Sequence, residues 1–214
     1  MRQLLKNNRY FLIPYVLVVF ICGILLIIYS KPELHILTNQ ANSKFFDTFF
    51  KYFTNLGDGA MIAILFILLL FVKYRYAFAF LTGGLVTSAL VQILKKVVLG
   101  DIYRPSKYFE LYETYQLHFV EGVKLHALQS FPSGHAATSF NLFLALAIVI
   151  GNNNLKIVFF VFAALSAYSR VYLSQHFLID IAAGSVIGVI IILLFFQWFN
   201  TMNKAWLNKS LLKR

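Results

Sequence analysis

Long apolar runs alternate with short polar segments along the chain. Six runs contain no charged residue, and they cover residues 10–30, 59–72, 76–94, 136–155, 157–169 and 181–203. A helix rises ~1.5 Å per residue, so ~20 residues cross a hydrocarbon core about 30 Å thick. Irregular backbone is not tolerated against lipid, and the runs are longer than barrel strands need. The pattern therefore predicts an all-α fold: one membrane domain, residues 1–214, with six transmembrane helices and both termini on one side.

Composition supports the same class. Hydrophobic residues make up 60% of the 214 residues and charged residues 13%, against about 45–50% and ~25% in average globular domains. Mean hydropathy is +0.74. These values exclude a disordered chain and an ordinary soluble enzyme. The single cysteine, Cys22, has no intrachain partner, which excludes a disulfide scaffold and a cysteine-based metal site.

The charge is distributed unevenly between the two sides of the predicted bundle. A net charge of +11 would suggest a nucleic-acid partner in a soluble protein. Here the side that holds the termini carries ten basic residues and no acid, and the opposite side carries nine basic residues and all eight acids. Since loops rich in Lys and Arg stay in the cytoplasm, we expect cytoplasmic termini and no nucleic-acid partner. The ten are Arg2, Lys6, Arg9, Lys73, Arg75, Lys156, Lys204, Lys209, Lys213 and Arg214.

Two outer segments are rich in aromatic residues. Residues 99–134 join the third and fourth runs, and a connection this long is usually functional or interfacial. The stretch Ser43–Thr54, SKFFDTFFKYFT, mixes aromatic and charged side chains. It predicts a helix in the headgroup plane, and a frayed start to the second span is the alternative.

Three polar clusters border the predicted outer ends of the spans, where ionisable groups are costly and are candidates for function. The first is Lys95-Lys96 followed by Arg104-Pro105. Cations so close to a span need an anion, although snorkelling toward headgroups would also explain them. The second is 131–135, FPSGH, which opens into the run from Ala136. N–H groups at a helix start bind phosphate, and an ordinary helix cap would use the same residues.

The third cluster is Ser169-Arg170, His176 and Asp180. His176 and Asp180 are four residues apart, so we expect them to share a helix face. A carboxylate there fixes the imidazole tautomer and supports the imidazolium, and histidine can itself be a nucleophile. The topology puts all three clusters on one face of the bundle. Together they supply the cations, N–H groups, nucleophile and acid that phosphoryl transfer requires.

These clusters resemble the three signatures of the type 2 phosphatidic acid phosphatase family. Lys96 with Arg104-Pro105 is similar to the first, residues 132–135 to the second, and Ser169-Arg170-x5-His176-x3-Asp180 to the third. The resemblance covers residues 95–180. It implies a six-span lipid phosphatase with its active site at the non-cytoplasmic surface, which shares its chemistry with soluble acid phosphatases and vanadium haloperoxidases. It also implies that no metal or other cofactor is needed.

The resemblance further implies a role for each matching residue. His176 is the nucleophile and forms a phosphohistidine, and Asp180 orients it. His135 protonates the leaving lipid oxygen and then helps to activate water. The phosphate is held by Lys96, Arg104, Ser133, the N–H of Gly134, and Arg170.

The first signature departs from the family pattern in its spacing. The family places six residues between the lysine and the arginine, and the corresponding position here is Val97. Lys96 leaves seven residues before Arg104, and Lys95 leaves eight. We expect Gly100-Asp101 to absorb one residue in a turn, so Lys96 is our choice and Lys95 the alternative.

The sequence thus predicts an integral membrane phosphatase acting on a phosphomonoester or diphosphate of a lipid, at the periplasmic face of a bacterial inner membrane. Phosphatidylglycerol phosphate, phosphatidic acid, undecaprenyl diphosphate and lipid A phosphates all stay open as substrates, and the oligomeric state is not predicted. One alternative is a lipid phosphoryl transferase, which would pass the phosphoryl group to an acceptor lipid. Another is a non-catalytic binder or transporter of lipid phosphates, although a binder needs cations but no His–Asp pair.

Several polar residues lie outside the signatures. Asp58 is expected to cap the second span, and lining a substrate entrance is the alternative. Gly184-x3-Gly188 permits a close helix contact, which we expect inside the bundle. Three further histidines are scattered, so we interpret them as interfacial polar residues rather than metal ligands. They are His35, His118 and His126.

Overall fold

The computed structural model describes residues 1–100 and 102–212. These residues form helices and no strand, which confirms the all-α class. Asp101, Lys213 and Arg214 lie outside the described residues, and with them the expected turn at Gly100-Asp101 and two of the inner-side charges. The helices are α1 Arg2–Asn7, α2 Arg9–Ile28, α3 Lys31–Gln40, α4 Lys44–Phe53, α5 Gly59–Val72, α6 Tyr74–Ile93, α7 Pro105–Tyr112, α8 Gly134–Val149, α9 Asn153–Tyr172 and α10 Leu178–Thr201.

Six helices coincide with the six apolar runs: α2, α5, α6, α8, α9 and α10. By length and composition α2, α9, α10 and α6, extended through Val98, can each cross a membrane. α5 reaches that length only together with α4, from which it is bent by 50°. α8 has 16 residues and is shorter than a full span. The chain is a multi-pass helical membrane protein, and six spans stay a prediction.

α8 is the centre of the bundle and α2 lies at its edge. α8 packs against α6, α9 and α10, and ten of its 16 residues are buried. In α2 only Phe11 and Tyr15 are buried, and apolar side chains such as Phe20 and Ile27 are exposed. Because exposed apolar surface of this extent is stable against lipid rather than water, α2 lies on the lipid-facing side.

Two glycines let α10 approach α8 closely, as the sequence predicted. A Cβ at Gly184 would lie 2.2 Å from the carbonyl oxygen of Ser133, and one at Gly188 would lie 2.4 Å from that of Ala137. Both neighbours are backbone atoms, which cannot move aside as a flexible side chain could. The expected contact inside the bundle is therefore confirmed, and it holds the start of α8 against the start of α10.

Helix α3 was not predicted, although its start carries a recognisable signal. The Ser30 hydroxyl accepts a hydrogen bond from the N–H of Glu33, and the Glu33 carboxylate accepts one from the N–H of Ser30. This reciprocal capping box stabilises the first turn of a helix. The Ser43–Thr54 segment forms helix α4, and a 3₁₀ turn, Thr54–Gly57, joins it to α5; its place in the headgroup plane stays a prediction.

The histidines outside the signatures have different surroundings. His118 contacts a carboxylate oxygen of Asp47 at 3.0 Å, and its side chain is 39% exposed. His35 is 1% exposed, and its ring packs between Phe109 and Phe177 with centroid distances of 5.6 and 5.4 Å. The interpretation of His35 as an interfacial residue is therefore wrong. Its own helix, α3, packs over the loop before α10, and this packing buries the ring.

Candidate active site

The first cluster lies where α6 ends. A π-helical turn, Leu94–Val98, follows α6 and directs the two lysines differently. Lys95 is 6% exposed and lies within electrostatic range of Arg104 and Asp180. Lys96 is exposed. The structure therefore brings Lys95, the alternative in the sequence analysis, to the cluster and leaves Lys96 outside it.

Arg104 immediately precedes α7, and backbone carbonyls hold its guanidinium. Its Nε–H donates to the carbonyl oxygen of Leu128 at 2.9 Å, and Nη1–H donates to that of Gln175 at 3.2 Å. The second bond joins the first cluster to the loop that carries the third. Burial lowers the pKa of Arg104, and the charge of Asp180 opposes the shift. The site thus contains a partly buried cation held by neutral partners.

The second cluster forms the start of α8. Ser133 is buried; its Oγ accepts a hydrogen bond from the N–H of Ala136 at 3.3 Å, and its own N–H donates to the carbonyl of Asp180 at 2.9 Å. A Cβ on Gly134 would meet Val91 at 3.4 Å, which is an ordinary contact. Packing therefore does not require glycine at 134. This fits the expectation that an anion approaches the backbone at this helix start.

The third cluster contains a buried His–Asp pair. His176 lies in the turn before α10, so the expectation that it shares a helix face with Asp180 is wrong in detail. Asp180 reaches back from the first turn of α10, and its Oδ2 is 3.3 Å from Nδ1 of His176. The same oxygen accepts hydrogen bonds from the N–H of Phe177, at 2.8 Å, and from the hydroxyl of Ser130. Three donors therefore fix the carboxylate, and the carboxylate fixes the ring.

The surroundings of His176 keep its imidazole neutral. His176 and Asp180 are each 2% exposed. Burial lowers the pKa of His176 to about 3; the hydrogen bond to Asp180 opposes this, and the charge of Arg104 adds to it. Since the carboxylate accepts the proton of Nδ1–H, the lone pair lies on Nε2. A neutral imidazole with a free Nε2 is the form that a nucleophile requires.

Thr54 joins Arg170 to His135. The Nη1–H of Arg170, in the last turn of α9, donates to Oγ1 of Thr54 at 3.2 Å. Nε2 of His135, in the first turn of α8, lies 3.4 Å from the same Oγ1 and 3.4 Å from Oγ of Ser166. The Nε of Arg170 is buried and has no hydrogen-bond partner among the described residues. A buried, unpaired guanidinium donor suits an anionic ligand.

Asp58 does not act as the helix cap that the sequence predicted. Within the described chain, its side chain accepts no hydrogen bond from the first turn of α5. Its Oδ1 lies 3.4 Å from Nδ1 of His135 instead. This contact lowers the pKa of Asp58, burial opposes the shift, and the charges of His135 and Arg170 add to it.

The predicted clusters meet through direct contacts at one end of the bundle. Arg104 contacts the loop of His176, Ser133 contacts Asp180, and Thr54 bridges Arg170 and His135. Sequence reasoning missed several residues that complete the cluster. A polar residue within an apolar helix, such as the Ser166 of α9, was the available signal. The missed residues are Thr54, Gly57, Ser130, Ser166 and Gln175.

No group of three or more His, Cys, Asp or Glu side chains in residues 1–100 and 102–212 is placed to hold a metal ion. The two carboxylates of the site, Asp58 and Asp180, each face a histidine instead. The described site supplies two histidines, two carboxylates and the cations of Lys95, Arg104 and Arg170.

Comparison with known proteins places this geometry in a family. A sequence model of the PAP2 superfamily matches residues 72–204, which include all three clusters. A lipid A 4'-phosphatase of Bacteroides thetaiotaomicron is 40% identical over 58 residues, which make up 27% of this chain and 26% of that protein. The chain thus matches about a quarter of that relative's length.

Two crystal structures share the fold. Aquifex aeolicus LpxE superposes with a TM-score of 0.67 and 26% identity, covering 77% of this chain and 93% of that one. A PAP2-type phosphatidylglycerolphosphate phosphatase of Bacillus subtilis superposes with a TM-score of 0.64 and 17% identity, covering 92% of this chain and 99% of that one. The second likeness shows the fold alone.

Proposed function

Because the chain belongs to the PAP2 superfamily, we propose that it is an integral membrane phosphatase that removes phosphate from a lipid through a phosphohistidine intermediate. The observation that carries the proposal is the buried pair of His176 and Asp180, with Nδ1 and Oδ2 3.3 Å apart. The charges of Arg104 and Lys95 act on His176, and Arg170 lies within electrostatic range of both cations. A protein that only binds phosphate would need the cations but not a neutral imidazole oriented by a carboxylate.

In the first step the phosphate lies among the cations and His176 attacks it. Arg104, Arg170 and Lys95 neutralise the phosphate oxygens, with the Ser133 hydroxyl and the Gly134 N–H as further donors. Nε2 of His176 forms a bond to phosphorus while the bond from phosphorus to the lipid oxygen breaks. Cations fixed in place before the reaction stabilise the charge that develops in such a transition state.

Proton transfer completes both steps. His135 gives a proton to the leaving lipid oxygen, which would otherwise depart as an unstable alkoxide. It then takes a proton from a water molecule that attacks the phosphohistidine, and the bond from phosphorus to Nε2 of His176 breaks. Asp180 stabilises the positive charge that His176 carries between the two steps.

The lipid chains have a place beside this site. An apolar cavity of about 200 Å³ lies between α2, α9 and α10. It reaches the first turn of α10, where Leu178 and Ile181 flank Asp180. An acyl chain in this groove would leave its phosphate at the His176 end. The residues that line the groove include Val18, Cys22, Leu165, Tyr168, Leu178 and Ile181.

The substrate is proposed as a lipid phosphate of the outer leaflet of a bacterial inner membrane. The charge bias of the loops supports cytoplasmic termini and a site at the periplasmic face. The match to a lipid A 4'-phosphatase makes a lipid A phosphate the first substrate to test. Phosphatidylglycerol phosphate, phosphatidic acid and undecaprenyl diphosphate are the others.

The test is release of free phosphate by the detergent-purified protein from each of these four lipids, with and without a chelator. We expect turnover of at least one lipid in both conditions and none by His176→Ala. Substantial release by His176→Ala would exclude the mechanism, and loss in chelator restored by Mg²⁺ would exclude metal independence. Labelled phosphate on an acceptor lipid would instead indicate a transferase. Tight binding of the lipid without turnover would indicate a binder.

A further inference from the structure

A second His–Asp pair lies at the mouth of the site. Asp58 stands at the break between α4 and α5, and its side chain is 53% exposed. The His135 side chain is 8% exposed, and its Nδ1 is 3.4 Å from Oδ1 of Asp58. Asp58 therefore connects a buried imidazole to the solvent side of the cluster.

The other side of the His135 ring faces the proposed phosphate site. Nε2 contacts the hydroxyls of Thr54 and Ser166, and Thr54 accepts a hydrogen bond from Arg170. The backbone of Gly57 lies so close that a Cβ there would be 2.5 Å from Nε2. The ring is thus held between the Thr54–Gly57 turn and α9, with Nδ1 toward Asp58 and Nε2 toward Arg170.

The two pairs have the same connectivity but different exposure. In each, the carboxylate contacts Nδ1, so Nε2 is the ring nitrogen that remains for the reaction. Asp180 is 2% exposed, whereas about half of the Asp58 side chain is open to solvent. The buried pair suits a neutral nucleophile. In the second pair the partly exposed carboxylate stays ionised, and a negative charge beside Nδ1 favours the protonated ring that a general acid requires.

We infer that Asp58 is a positioning residue for His135, an inference that rests on the proposed function. Its carboxylate accepts the Nδ1–H of His135 and so keeps a second proton on Nε2, aimed at the leaving oxygen. That proton moves to the lipid oxygen as the phosphorus–oxygen bond breaks. A proton from the attacking water later replaces it. Asp58 stays ionised throughout and exchanges no proton.

The negative charge of Asp58 also opposes the nearby cations. Burial of the His135 ring disfavours an imidazolium, and the like charge of Arg170, which lies beside His135 through Thr54, adds to this. A carboxylate within a few ångströms favours the charged ring, so its removal should weaken the acid. Removal of Asp58 should not weaken binding of the phosphate, since it takes away a negative charge that repels the phosphate.

The test compares Asp58→Asn with wild type on two substrates. The first is the lipid phosphate that wild type hydrolyses, whose alkoxide must be protonated. The second is 4-nitrophenyl phosphate, whose nitrophenolate departs without a proton. We expect kcat/KM for the lipid to fall roughly tenfold to a hundredfold and kcat/KM for the aryl phosphate to change little. The alkaline limb of the pH profile for the lipid should shift to lower pH, and Asp58→Glu should restore part of that shift.

A matched control is Asp47→Asn. Asp47 lies in α4 and also pairs with a histidine, His118, which belongs to none of the three clusters; its other carboxylate oxygen accepts a hydrogen bond from the hydroxyl of Tyr172. We expect Asp47→Asn to leave kcat/KM for both substrates and the pH profile unchanged. The inference is wrong if Asp58→Asn lowers kcat/KM equally for both substrates without moving the pH profile. It is also wrong if kcat/KM for the lipid equals that of wild type. In either case the proposed function stands. Absence of any lipid phosphate turnover by wild type would overturn the proposed function itself.

Discussion

The backbone N–H of Leu99 donates to the carbonyl of Leu94, five residues earlier, at an N···O distance of 2.9 Å. This is the hydrogen bond of a π-helix, and it adds one residue to the turn that ends α6. Such turns are frequent at functional sites. Here the turn buries Lys95 on the side of the cluster and leaves Lys96 exposed.

The first prediction separates these two lysines. Lys95→Gln removes a cation that faces the phosphate in the proposed mechanism, and we expect kcat/KM for the lipid phosphate to fall about a hundredfold. Lys96→Gln, with the same chemical change on an exposed side chain, should have little effect. Phosphate release measured in parallel for both variants decides the assignment, and a larger loss in Lys96→Gln would reverse it.

Much of the fold could be predicted because burial in lipid imposes a simple pattern. Each of the six apolar runs became a helix, since backbone groups in a bilayer must be satisfied within the segment. The structure of the polar segments between these runs was harder to predict. The capping box at Ser30 and Glu33 marked α3, but the helix is short and its residues are mixed, so the apolar pattern did not reveal it.

The candidate site could be predicted in its residue types but not in all its contacts. Lys95 follows Thr87 and Val91 at intervals of four, and all three are buried, so helix periodicity points to Lys95. The number of residues counted back from Arg104 includes instead the segment near residue 100, and this count selected Lys96. The contact of Asp58 with His135 depends on the angle between α4 and α5, and no local pattern encodes that angle.

The second prediction concerns the close approach of the Thr54–Gly57 turn. A Cβ on Gly57 would lie 2.2 Å from Oγ of Ser139 and 2.5 Å from Nε2 of His135. Gly57→Ala should therefore displace the His135 ring, and we expect a large loss of kcat for the lipid phosphate. Gly59→Ala is the matched control, because no described atom lies within 4 Å of a Cβ there. Equal activity of the two variants would show that the turn does not position His135.

The third prediction is a pH dependence of stability. Burial lowers the pKa of His35 to about 4, whereas a histidine in the unfolded chain titrates near 6.5. As the pH falls from the higher value to the lower one, the unfolded chain takes up a proton that the folded protein does not. Stability is therefore lost through this range, by about 2 kcal/mol from His35 at pH 5.

His35→Phe tests this loss. Phenylalanine can occupy the same space between Phe109 and Phe177 but does not titrate, so the thermal midpoint should fall less between neutral and acidic pH than in wild type. The variant also loses the 3.1 Å contact of Nε2 with Ser174, so only the dependence on pH is compared. His118→Gln is the control, since that side chain is partly exposed. An unchanged pH dependence in His35→Phe would contradict the assignment.

The last prediction concerns the apolar groove between α2, α9 and α10. Ala182 lines this cavity of about 200 Å³, and Ala182→Trp would fill much of it. If acyl chains lie there, KM should rise for long-chain lipid phosphates while kcat/KM for 4-nitrophenyl phosphate stays near wild type, because His176 and the cations are untouched. Ile190→Trp, on an exposed position of α10, should change neither substrate. A similar fall in kcat/KM for both substrates in Ala182→Trp would mean that the tryptophan disturbs the packing of α10. If the KM of Ala182→Trp does not depend on chain length, the lipid chains lie elsewhere.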